Sequence, residues 1–181
     1  MLTQLDKIAA LVVIDLQKGM LGIAAVHPIG EIVDRTAELA RAFRERGRPV
    51  VLVNVTGMAP GRAEAQRPKF SPPPDWTELA PGLAAQPTDH LVSKQRWGAF
   101  HGTSLDEYLR GRGVTQVVLT GVATSAGVES TARSAYDLGY NVALVTDAMT
   151  DRDADAHRHC VEKIFPRLGE TDTTENFLKQ I

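Results

Sequence analysis

The chain has 181 residues, 43% of them hydrophobic and 23% charged, with a formal net charge of -2. That balance belongs to a globular chain long enough to bury a sizeable core, read here as one domain over residues 1–181. It lacks the basic excess of a nucleic-acid surface, and no apolar run approaches the ~20 residues of a membrane span.

Met1 to Asp6 puts no basic stretch ahead of the first apolar run, and that run ends in Asp15, so no signal peptide is expected. A single cysteine, Cys160, excludes an internal disulfide framework and suits a reducing cytoplasm.

Ile8 to Ile14 (I-A-A-L-V-V-I) is a continuous apolar run of the kind a buried parallel strand shows. Asp15 then falls at the strand's carboxyl end, as a helix N-cap, a turn residue or an acid of a site, with Gln17 just beyond. Gly19 to Gly30 reads as loop, with His27-Pro28 breaking any helix. Glu31 to Arg46 carries a helical stripe (Ile32, Val33, Ala37, Leu39, Ala40, Phe43) closed by Gly47. Val50 to Val55 is a second strand, and the helix-length spacing between two all-apolar strands is a βαβ signature.

Gly57 to Pro74 has no periodicity. Its basic residues Arg62, Arg67 and Lys69 are either solvated or available to a substrate carboxylate, which a guanidinium fork suits well. Trp76 to Ala80 reads as a short helix and His90 to Ser93 as a third strand. Lys94 follows in S-K-Q-R-W-G-A-F, either pointing to water or partly desolvated beside Trp97 and Phe100. Thr103 to Arg110 is a helix and Gln116 to Leu119 the fourth strand. Ser125 to Leu138 is the next helix and Asn141 to Thr146 the fifth strand, ending at Asp147. Ala154 to Leu168 is a helix, Glu170 to Thr174 a sixth strand and Glu175 to Lys179 a terminal helix. This order implies a doubly wound α/β sheet, in which ligands bind at the carboxyl ends of the strands.

With strands one, three and four as neighbours, Asp15, Lys94 and the small-residue turn T-G-V-A-T-S-A-G-V (Thr120 to Val128) meet there. An acid, a base and a ring of backbone donors form a constellation for hydrolysis. His27, His90, His101, His157 and His159 show no ligand spacing beyond the i, i+2 pair 157/159, which a helix turns about 200° apart, so no metal is expected.

Four segments together resemble the isochorismatase-like hydrolase superfamily. They are A-L-V-V-I-D-L-Q (Ala10 to Gln17), S-K-Q-R-W-G-A-F (Ser93 to Phe100), G-V-A-T-S-A-G-V-E-S-T-A (Gly121 to Ala132) and N-V-A-L-V-T-D-A (Asn141 to Ala148). The resemblance implies a three-layer α-β-α sandwich with a Rossmann-like six-stranded parallel sheet, usually assembled as a homodimer or higher homo-oligomer. It also implies a cis peptide between Val122 and Ala123 that turns backbone N–H groups toward a small-molecule substrate. Most members are amidohydrolases with an Asp-Lys-Cys triad, and this chain carries Gly127 where they carry the cysteine. In that respect it is similar to the branch that cleaves a vinyl ether and needs no cofactor.

Carried over residue by residue, the resemblance gives Asp15 as general acid, Lys94 as its partner and Gly127 as part of the catalytic turn. Gln17, Arg67, Trp97, Phe100, Val122, Ala123, Ser125 and Ala126 become substrate-binding residues. The expected activity is hydrolysis of a small anionic metabolite. An amide or ester hydrolase using water or Ser125 directly, and a silent binder that kept the pocket, are the alternatives.

Overall fold

The computed structural model describes residues 1–64 and 72–181. Six strands, β1 (Ala9–Ile14), β2 (Val50–Val55), β3 (His90–Lys94), β4 (Gln116–Val122), β5 (Asn141–Thr150) and β6 (Glu170–Asp172), form one all-parallel sheet in the order β3-β2-β1-β4-β5-β6. Residues of β1 alternate between two cores. Leu11 and Val13 join Leu52 and Val118 under α1 (Ile29–Glu45) and α5 (Thr174–Leu178). Ala10, Val12 and Ile14 join Val51, Val117 and Leu119 under α2 (Leu105–Gly111), α3 (Glu129–Asp137) and the segment after α4 (Ala154–His159). Both faces of the central strands are therefore covered, which explains why β1 is apolar at every position rather than at every second one.

Several boundaries differ from the sequence reading. Helix α1 begins at Ile29, directly after Pro28, whose fixed φ suits helix entry. β4 and β5 run past their apolar cores: after a register shift between Leu119 and Gly121, Gly121 pairs with Met149 and Val122 with Thr150. Polar side chains hide this extension from a hydrophobicity reading, and it moves the carboxyl end of β5 from Thr146 to Thr150.

The expected helix at 76–80 is instead a run of turns pinned alongside residues 16–19. Lys18 N donates to Glu78 O (2.7 Å), Gly19 N to Trp76 O (3.0 Å) and Ala80 N to Leu16 O (3.0 Å). The expected helix at 154–168 breaks after His159 into a wider turn (Cys160–Ile164) and a tight one (Phe165–Arg167). Pro166 lacks the N–H that continuation requires.

Candidate active site

Asp15 follows the last residue of β1 with φ +53, a left-handed conformation that costs a non-glycine residue of order 1 kcal/mol but that aspartate tolerates better than most. Its amide still donates to Val53 O (3.0 Å), so the residue is anchored to β2 while its side chain leaves the sheet. On the other flank Gly121 closes in. A Cβ there would lie 2.0 Å from Ile14 O, so only glycine lets β4 approach β1 at this level.

Lys94 is the last residue of β3, the edge strand. The expectation that β1 and β3 are neighbours is corrected: β2 lies between them. Two strand spacings, roughly 9–10 Å, are bridged by the length of the lysine side chain. Its Nζ reaches Asp15 Oδ2 at 2.7 Å and also donates to Arg96 O at 3.0 Å. Both residues are buried, with 5% of Asp15 and 2% of Lys94 exposed.

Burial pushes the Asp15 carboxyl up to about 6, while the Lys94 ammonium and its hydrogen bond pull the other way. Desolvation wins because one oxygen has nothing to offset it. Oδ2 is held by Lys94, whereas the buried Oδ1 has no hydrogen-bond partner among the described residues.

The third component is the turn after β4. The Val122–Ala123 peptide is cis, and Thr124–Val128 forms a wide helical turn leading into α3. Three of its amides are engaged: Ser125 N donates to Asp151 Oδ2 (2.7 Å), and Ala126 N and Val128 N both donate to Ala123 O (3.1 Å each). Gly127 packs directly on the acid, since a Cβ there would lie 3.2 Å from Asp15 Oδ2, 3.1 Å from Val122 O and 2.9 Å from Ile14 Cγ2. Asp15, Lys94 and Gly127 therefore meet.

The remaining candidates divide. Gln17 is fully buried with its amide used internally: Nε2 donates to Val55 O (3.2 Å) and Trp76 O (3.0 Å), and Oε1 accepts from Val55 N (2.8 Å). It clamps the ends of β1 and β2 to the 76–80 turns, and a substrate has no atom of it to meet. Ser125 Oγ donates to Asp151 Oδ2 at 2.7 Å. Ala126 has spent its amide within the turn. Phe100 stacks on Tyr140 with ring centroids 5.8 Å apart and packs on the core. Trp97 is 67% exposed. Val122 is buried and Ala123 half-buried. Arg67 lies outside the described residues. Cys160 is buried against Glu129, its thiol donating to Oε2 at 2.9 Å, and burial beside that carboxylate pushes it up to about 12, which makes it inert at neutral pH. Among the described residues, no three His, Cys, Asp or Glu side chains are grouped to hold a metal ion.

Sequence reading missed Asp151 and Thr131. Asp151 accepts from Ser125 N and Oγ with Oδ2, and from Arg152 N with Oδ1 (2.8 Å). The rule that singled out Asp15, an acid at a strand's carboxyl end, finds Asp151 as well once β5 is ended at Thr150. Thr131, buried, accepts from Ala99 N and donates to Gly127 O.

An all-parallel sheet with a buried acid–ammonium pair at the carboxyl ends of its strands is an α/β architecture with a candidate site where such sheets bind ligands. The chain belongs to the isochorismatase family: the isochorismatase domain profile matches residues 9–176. It is 42% identical over 179 residues to the isochorismatase family protein YwoC of Bacillus subtilis, covering 95% of this chain and 93% of that one. The fold is similar to that of an isochorismatase family protein from Burkholderia thailandensis, with TM-score 0.95 and 41% identity, covering 98% of this chain and 97% of that one. Streptothricin hydrolase of Streptomyces noursei is 34% identical over 150 residues, 82% of this chain and 52% of that protein. Members of this family are hydrolases, and so is the class to which this chain is assigned. Among the described residues, no helix is long and apolar enough to cross a membrane.

Proposed function

We propose that the protein hydrolyses a small anionic metabolite by direct proton transfer from Asp15, with no covalent intermediate. The observation that supports this reading is the asymmetry of the Asp15 carboxyl: one oxygen is fixed by Lys94, and the other is buried with no hydrogen-bond partner among the described residues. A carboxyl held near 6 keeps a useful protonated fraction around neutral pH.

For a vinyl ether, Asp15 transfers its proton to the enol-ether carbon, and the C=C electron pair forms the new C–H bond. Water adds to the oxocarbenium ion, and the hemiketal so formed collapses to a ketone and an alcohol. Lys94 stabilises the carboxylate left on Asp15. With the Ser125, Ala126 and Val128 amides already engaged, the donor to a substrate oxygen is the Gly127 amide. Trp97 walls the mouth of the site and Arg67 takes the substrate's carboxylate.

A second reading is favoured by the relatives that are amidohydrolases, such as the ureidoacrylate amidohydrolase of Variovorax paradoxus. Asp15, ionised, would take a proton from water as that water attacks an amide or ester carbonyl. Ser125 as nucleophile finds no support, because its hydroxyl proton is committed to a carboxylate that is too weak a base to generate an alkoxide.

The test is incubation with isochorismate, following pyruvate, alongside a panel of small amides and esters. The first reading expects pyruvate, kcat/KM falling tenfold per pH unit above about 6, and loss of turnover in Asp15→Asn. The second expects amide turnover that rises through the same window. Ligand binding without turnover of any of these compounds would overturn both.

A further inference from the structure

We infer that Thr131 is a positioning residue, its single hydroxyl holding together the turn that covers Asp15 and the loop that receives Lys94. The inference rests on the reading of Asp15 as a dry acid.

Thr131 lies in α3 with no exposed surface. Its Oγ1 donates to Gly127 O at 2.6 Å and accepts from Ala99 N at 3.1 Å. The first bond alone would be ordinary, since a helical threonine commonly donates to the carbonyl four residues back. The second crosses from another part of the chain, 32 residues away, and makes the hydroxyl a joint rather than a local accessory. Neighbouring contacts fit that part: Gly98 lies flat on α3, where a Cβ would stand 3.4 Å from Ser130 O and 3.5 Å from Ser134 Oγ.

What the joint holds is the surroundings of the acid–ammonium pair. Gly127 is packed on Asp15 Oδ2, and no side chain of its own excludes water there, so the exclusion depends on where its backbone is held. Ala99 lies in the middle of the loop whose Arg96 carbonyl receives the second hydrogen bond of Lys94 Nζ. One hydroxyl thus fixes the backbone beside each partner. With it removed, Ala99 N loses this partner and Gly127 O loses the hydroxyl's bond, and both segments relax toward water. Water reaching Asp15 weakens the burial that raises its carboxyl.

Thr131→Val keeps the shape and deletes only the hydrogen bonds, and Thr131→Ser restores them without the methyl. The carboxyl of Asp15 is followed by carbon NMR over pH 3–9 in selectively labelled protein, with no substrate required. Wild type is expected to titrate near 6. Thr131→Val is expected to move that midpoint down by about one pH unit or more, and Thr131→Ser to return it. Thr36→Val, at a buried threonine of α1 whose hydroxyl has no partner among the described residues, controls for loss of a buried hydroxyl and leaves the Asp15 midpoint in place. Should the valine protein not fold, Thr131→Cys, a threonine-sized side chain with a weak donor, is expected to give an intermediate midpoint. A Thr131→Val or Thr131→Cys protein whose Asp15 titrates as in wild type overturns the inference while leaving the acid in place. A wild-type midpoint near 4 instead overturns the reading of Asp15 as a dry acid.

Discussion

Lys94→Met removes the ammonium and keeps an unbranched apolar stem of nearly the same length, which isolates the charge of the buried pair. In the wild-type protein, burial lifts Asp15 from 3.8 to about 6 against the pull of Lys94. A carboxyl raised by folding binds its proton more tightly in the native state than in the unfolded one. Its contribution to stability is therefore full below pH 3.8 and is lost as pH climbs to about 6, a fall of about 3 kcal/mol, beyond which the curve is flat. Without Lys94 both opposing influences disappear, and two unit charges in contact at an effective dielectric near 20 attract by several kcal/mol. Asp15 then stays protonated through pH 8, and the decline continues past 6 at about 1.4 kcal/mol per pH unit. The penalty of the substitution is accordingly level up to pH 6 and grows by about 3 kcal/mol between pH 6 and pH 8. Urea unfolding followed by circular dichroism at each pH unit from 5 to 8 measures it. Wild-type and variant stabilities that run parallel across that range would refute the account of the pair.

Gly121→Ala places a methyl 2.0 Å from the Ile14 carbonyl, a backbone atom that cannot step aside. It is expected to abolish soluble folded protein, as expression and far-UV circular dichroism would report. Gly127→Cys is a milder case, because its nearest obstruction is the Ile14 Cγ2 methyl at 2.9 Å. A cost of about 1–3 kcal/mol is expected in urea unfolding. Adding Ile14→Leu, which lacks the β-branch methyl, should recover most of it, whereas Ile14→Val, which keeps that methyl, should not. Trp97→Ala, at a ring 67% exposed, should leave the urea midpoint within about 0.5 kcal/mol of wild type and raise KM without lowering kcat.

The sequence was most legible where burial on both faces forced unbroken apolar runs. β1 and β2 announce themselves in this way, and the acid at the end of β1 follows from that strand's position. It was least legible where hydrogen bonding rather than hydrophobicity decides. β4 continues through Thr120 and Gly121, and β5 runs past Asp147, because ladder pairing resumes at Gly121–Met149 after a register shift. Gln17 and Ser125 look equally available to a ligand in sequence, and in the folded chain both are occupied by partners 26 or more residues away. Thr131 did carry a local sign, four residues after Gly127 in a helix, but the Ala99 amide that gives it a second task comes from a distant loop. Lys94 was found although the strand order assumed for it was wrong. A long flexible stem reaches Asp15 from one strand further out than expected, so the contact forms despite the different strand order.

The ammonium rides on the outermost strand of the sheet, while the acid sits near its middle. Edge strands loosen before central ones, and here the clasp that fastens the margin is a charge pair whose strength follows the proton content of its inner member. Protonation takes the charge from that clasp, but an opened rim lets water reach a carboxyl that folding lifts to about 6, so acidifying from pH 6 toward 3.8 holds the rim closed. Amide exchange along His90–Lys94, like that of the inner strands, would slow over the same range.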